Sequence, residues 1–78
     1  MKSFTKITET VYTPLWINIH FITYSKQYEE YRRRIGGNGE DCVKCNHHFY
    51  YGEEISLAYF KNVGNETLCV KCAEELNE

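Results

Sequence analysis

Four cysteines are the residues of this chain best suited to chemistry. Cys42 and Cys45 are separated by two residues, and Cys69 and Cys72 repeat that spacing after twenty-three intervening residues, giving C-x2-C-x23-C-x2-C. A thiolate is a soft ligand that zinc binds well, and a set of four makes a closed tetrahedral site. Two residues between cysteines let one tight turn aim both sulfurs at one ion. The long gap suits a hairpin that returns the chain to that ion. A second pair at a helix start sets the positive end of the helix dipole beside the thiolates. The pattern predicts one structural Zn2+ held by Cys42, Cys45, Cys69 and Cys72. Iron of the rubredoxin kind has similar ligands, but the sequence that surrounds such a site is not seen here.

Other uses of these residues fit less well. A catalytic zinc keeps an open position for water, and four thiolates leave none. A redox CxxC needs a larger βαβ sheet than this chain can build. The sequence holds no nucleophile elbow, phosphate loop or deaminase pattern. His47 and His48 are expected on the surface beside the metal, bonding outward. His20 is expected half-buried with a partner. Glu53 and Glu54 occupy adjacent strand positions, which point to opposite faces, so they read as solvated hairpin charges rather than an acid–base pair. The chain is therefore expected not to be an enzyme and to take no small-molecule substrate.

The elements that must position the cysteines follow from period and punctuation. "SFTKITETVY" is rich in β-formers and reads as a strand. Thr13-Pro14 marks a turn or an edge. "LWINIHFIT" alternates, with Leu15, Ile17, Ile19 and Phe21 predicted inward and Trp16, Asn18 and His20 outward. Tyr24, Tyr28, Tyr31 and Ile35 then recur at helical spacing. Ser25 is placed to cap that helix and Gly36-Gly37 to stop it. "GGNGE" is a short joint. "ISLAYF" and "TLC" read as a hairpin around the turn "KNVGNE", and "VKCAEELNE" as a terminal helix. The expected order is β-β-α, then loop, hairpin and helix.

Residues 41–76 resemble a treble-clef zinc finger, the fold group that includes LIM-type modules. Cys42 and Cys45 match the knuckle, Gly52-Glu53-Glu54-Ile55 the step into the hairpin, and Cys69 and Cys72 with "CAEEL" the helix pair. Asn46 stands where many members have glycine, and asparagine also tolerates the left-handed turn. The resemblance implies fold and zinc and no single function. The predicted fold class is small α+β. Residues 1–37 form a ββα segment with an N-terminal β-hairpin, packed on a treble-clef finger over 38–78 in one compact unit.

Size makes the metal necessary. A chain of 78 residues has a marginal core and needs a staple. No signal peptide or apolar span is evident, so a cytoplasmic location with reduced thiols is expected, with no membrane partner. Metal is favoured over disulfides on that ground.

Two features could recognise a partner. Residues 1–37 carry net +3 and residues 38–78 net −5, so the finger half matches phosphates poorly. Lys26, Arg32, Arg33 and Arg34 lie on the first helix near tyrosines and form the candidate nucleic-acid surface. Against this, consecutive arginines fan around a helix and Glu29 and Glu30 dilute them. The aromatic load is 15% of the chain, twelve residues, more than so small a core can hide. Trp16, Phe49, Tyr50 and Tyr51 form the candidate protein-binding surface. The leading expectation is a regulatory module that binds another protein. A nucleic-acid-binding transcription regulator and a structural subunit of an assembly are the alternatives, and a homodimer face is a further use of the aromatics. A short chain rich in Lys, Glu, Asn, Ile and Tyr also looks similar to the small accessory proteins that bacteriophages make to bind host enzymes.

Overall fold

The computed structural model describes residues 1–6, 10–36 and 39–78. Its elements are β1 (Phe4–Thr5), β2 (Val11–Tyr12), β3 (Pro14–Thr23), α1 (Lys26–Arg34), β4 (Glu54–Phe60), β5 (Gly64–Cys69) and α2 (Val70–Asn77). This is the small α+β class expected: two antiparallel sheets and two helices.

The pairing of the N-terminal half differs from the expectation. β1 folds back on β2, with Phe4 opposite Tyr12. β3 does not pair with that segment; it pairs with β4, giving the sheet order β3-β4-β5. The reason is length. Two-residue strands cannot satisfy a ten-residue one, whereas β4 offers seven residues and a matching apolar face. The strand read over 3–12 crosses residues 7–9, which lie outside the described residues, as do Gly37 and Asn38 of the joint.

Directly opposed residues share a face of the sheet. Trp16 opposes Tyr59, Asn18 opposes Leu57, and across β4 these oppose Asn65 and Thr67 of β5. α1 lies on that face, over β5: the Tyr28 hydroxyl is 3.1 Å from Thr67 Oγ1, and Arg32 Nη2 donates to the Asn65 carbonyl at 3.2 Å. The other face carries Ala58 and Phe60. Phe4 and Tyr12 set their rings edge-on against Phe60. α2 packs across β3, β4 and β5, and the Lys2 N–H donates to the Leu76 carbonyl, tying the N-terminus to it.

β3 starts at Pro14, which needs no donor at the head of an edge strand. Ile17, Ile19 and Phe21 are half-buried against the core as predicted, but Leu15 is 54% exposed. Register shifts between Pro14 and Trp16 and between Asn18 and Ile22 bend the strand. At the second shift the Ser56 hydroxyl donates to the Ile19 carbonyl.

The Ser25 side chain accepts the Tyr28 N–H and caps α1, worth about 1 kcal/mol. Gly36 follows with φ +81° and ends it. The buried stripe is not the predicted one. Tyr24 and Tyr28 are buried, but Tyr31 and Ile35 are exposed, and Arg32 takes the next buried position at 7% exposure. Its aliphatic stem lies on Gly39, where an added Cβ would sit 2.6 Å from Arg32 Cγ.

Candidate metal centre

The first cysteine pair sits on a loop shaped by backbone bonds. The Cys42 N–H donates to the His47 carbonyl at 2.8 Å, and the Asn46 N–H to the Cys42 carbonyl at 2.9 Å. Asn46 adopts φ +64°, the left-handed turn its side chain tolerates. The Cys45 N–H points at Cys42 Sγ, 3.5 Å away. The Val43 N–H donates to the Thr67 carbonyl at 3.0 Å, so the loop clips onto the outer edge of β5. β5 then ends on Cys69, which is the N-cap residue of α2, and Cys72 lies in the first turn. Hairpin and helix thus bring the second pair to the first.

The four Sγ atoms all lie within 4.8 Å of one another, and Cys45 Sγ and Cys69 Sγ are 3.8 Å apart. A tetrahedron with metal–sulfur bonds near 2.3 Å has edges of about 3.8 Å. The four cysteines are positioned to bind one metal ion. None is in a disulfide.

The electrostatics agree. Burial pushes the Cys69 thiol up, and pushes Cys72 up further, with the neighbouring thiol of Cys69 and the charge of Cys42 adding to it. Burial also opposes ionisation of Cys45, but the His47 backbone N–H and the surrounding thiols outweigh it and hold Cys45 below its ordinary value. Four thiolates crowded this closely repel one another, and a divalent cation at their centre removes that repulsion. The donor set therefore fits a metal.

The histidines stand outside this set. His47 Nε2 pairs with the Glu53 carboxylate at 2.9 Å, and Glu53 also accepts the Tyr50 N–H at 3.0 Å, which braces the loop leaving the knuckle. His48 Nδ1 pairs with Asp41 at 2.8 Å across an isolated bridge. His20 is exposed rather than half-buried and pairs with Glu54 at 2.7 Å.

The candidate protein-binding residues do not come together. Phe49 is 3% exposed and lies in the core against Tyr24, so it is corrected out of any surface patch. The run Phe49-Tyr50-Tyr51 splits because only Phe49 fits under the loop; Tyr50 and Tyr51 are exposed. Tyr51 stacks on Tyr24 just beyond the end of β3. Trp16 is 45% exposed and stacks on Tyr59 toward the opposite end of that strand, roughly 20 Å along it. Sequence reasoning missed Tyr59, because only the register of β3 on β4 places it beside Trp16.

The candidate nucleic-acid residues also separate. Arg32 is buried. Arg33 Nε donates to Glu40 Oε1 at 2.6 Å, and its guanidinium also faces Glu29 at 3.6 Å. Lys26 and Arg34 remain on the exposed surface. A cleft of about 330 Å³ lies beside Arg32, walled by Ile35, Val63, Asn65 and Glu66.

No family model matches the chain, and no curated protein or solved structure matches it either. No described helix is long and apolar enough to cross a membrane. Fold and site define a small α+β protein with a four-cysteine metal-binding cluster.

Proposed function

We propose that the protein is a non-catalytic, zinc-stabilised module that binds another protein and regulates or inhibits it. The knuckle, hairpin and helix order around the cysteines supports the treble-clef reading. Closed coordination by four thiolates supports a structural zinc, with iron distinguished by metal analysis of the purified protein. The observation that carries the binding function is the solvent-exposed stack of Trp16 on Tyr59, with ring centroids 6.4 Å apart. Trp and Tyr dominate interface hot spots, and a stacked pair is already ordered before a partner arrives. The net −5 of residues 38–78 and the burial or pairing of Arg32 and Arg33 count against phosphate binding. Composition, rather than geometry, supports the bacteriophage-type reading.

The test is capture from lysate by the metal-loaded protein, with and without nuclease, at low and high salt. The reading expects a discrete protein retained through nuclease and high salt and lost from Trp16→Ala/Tyr59→Ala. Retention of nucleic acid alone, released by salt, overturns it.

A further inference from the structure

Arg32 is a charged side chain that the fold buries, at 7% exposure, and its bonding there is incomplete. A guanidinium carries five N–H donors. Among the described residues Arg32 makes one hydrogen bond, from Nη2 to the Asn65 carbonyl at 3.2 Å, and its buried Nε has no partner. The carboxylates near α1, Glu29 and Glu40, are taken by Arg33. A buried donor without an acceptor is costly, and more so when it is charged.

Arg32 forms one wall of the cleft of about 330 Å³, with Ile35, Gly36, Val63, Asn65 and Glu66 as the others. Glu66 is half-buried there. Burial pushes its carboxyl up, and the charges of Arg32 and Lys6 offset this only in part. Lys6 Nζ is engaged elsewhere, with Asn46 Oδ1 at 2.9 Å. One cleft is therefore lined by a cation and an anion that are not bonded to each other. Ile35 and Val63, both partly exposed, supply its apolar surface. Ile35 is also the C-cap residue of α1, where the helix dipole is negative.

A simple anion in this cleft would meet Arg32 but be repelled by Glu66. A simple cation would meet Glu66 but be repelled by Arg32. A zwitterion with both signs on one carbon satisfies both walls. We propose that the cleft binds a free aliphatic α-amino acid, with its carboxylate on the Arg32 guanidinium, its ammonium on Glu66, and its side chain against Ile35 and Val63. A guanidinium grips a carboxylate through paired N–H donors, and the negative end of α1 favours the ammonium. A longer peptide does not meet the same demand, because its amine and carboxylate lie at opposite ends.

This site goes beyond the binding function above, and neither Trp16 nor Tyr59 lines it. Loss of partner capture therefore leaves it standing, and an empty cleft leaves the binding function standing. The metal-loaded, isotope-labelled full chain is titrated with L-leucine over roughly 0.1–10 mM and followed by its amide shifts. Saturable shifts are expected at Gly36, Val63, Asn65 and Glu66. Isocaproate lacks only the amine and isoamylamine only the carboxylate, so each should bind more weakly by about tenfold or more. Glu66→Gln should weaken leucine by a similar factor while leaving isocaproate no weaker, a contrast that altered packing alone would not produce. Shifts that do not saturate, or that lie outside the cleft, overturn the proposal. So does either analogue binding as tightly as leucine, or a folded Glu66→Gln variant that binds leucine like the wild type.

Discussion

The hydroxyls of Tyr28 on α1 and Thr67 on β5 meet at 3.1 Å beneath the helix, with both residues buried. With the Arg32 bond to Asn65, this contact fixes α1 to the strand that ends on Cys69. Thr67→Val should strand the Tyr28 hydroxyl and destabilise the fold by about 1–3 kcal/mol. Tyr28→Phe/Thr67→Val removes both partners and should cost less than the sum of the single changes. Urea unfolding of the four species measures the coupling.

Removing one thiol should cost more than any other single change. Binding of a structural metal of this kind supplies about 10–16 kcal/mol, against the few kcal/mol of a core this small. Cys42→Ser or Cys69→Ser, or a chelator on the wild type, should collapse amide dispersion around β4, β5 and α2. Dispersion retained in either mutant would sink the structural-metal reading. Metal analysis should return one ion per chain.

The arginines should separate by burial. Arg32→Ala should lower stability measurably, since it strips the stem that covers Gly39 and the bond to Asn65. Arg34→Glu, on the exposed surface, should stay within about 0.5 kcal/mol of wild type. Thermal unfolding of the two variants compares them. Equal effects would show that Arg32 is not held as described.

Two carboxylates should shift stability with pH in opposite senses. The Tyr24 hydroxyl, donating at 2.7 Å, holds Glu29 below the usual carboxylate range, with Tyr51 and Arg33 assisting against burial. Its contribution is present above the unfolded value of about 4.3 and is lost as pH falls through the lowered folded value. Burial pushes Glu66 up, against Arg32 and Lys6. Its contribution is present below about 4.3 and is lost as pH rises through the raised folded value, so the ionised form is a burden at neutral pH. Glu66→Gln should therefore raise Tm at pH 7 and leave it unchanged near pH 3. Glu29→Gln should lower Tm at pH 7. Calorimetry at several pH values reads both.

Phe49 and Tyr50 are adjacent and should behave as opposites. Phe49→Ala empties a core position and should cost about 3–5 kcal/mol. Tyr50→Ala should be close to neutral in denaturant unfolding. Similar costs would place both rings in the core.

Local features were legible in the sequence because local chemistry decides them. The spacing of Cys42, Cys45, Cys69 and Cys72 anticipated a cluster, and Asn46 anticipated the left-handed turn after the knuckle. Ser25 and Gly36 marked the ends of α1. What failed depended on partners far along the chain. The period of α1 favoured Tyr31 and Ile35 as core, but the Asn65 carbonyl and Gly39 hold Arg32 inward instead, and rotate both apolar residues to the surface. Leu15 alternates with its neighbours as a core residue should, yet the register shift beside Trp16 leaves it outside. Nothing in residues 1–23 announces that β3 will ignore the segment before it and join β4. The Trp16–Tyr59 stack follows from that choice and was equally hidden.

The pairing of β3 with β4 also bears on how long the molecule lasts. A separate N-terminal half could outlive the loss of its metal. Here the first half lends its longest strand to a sheet whose last strand ends on Cys69 of the cluster, so opening that cluster should loosen both halves of the chain together. A metal-stripped molecule would present "LWINIHFIT" to proteases as an extended, uncharged segment.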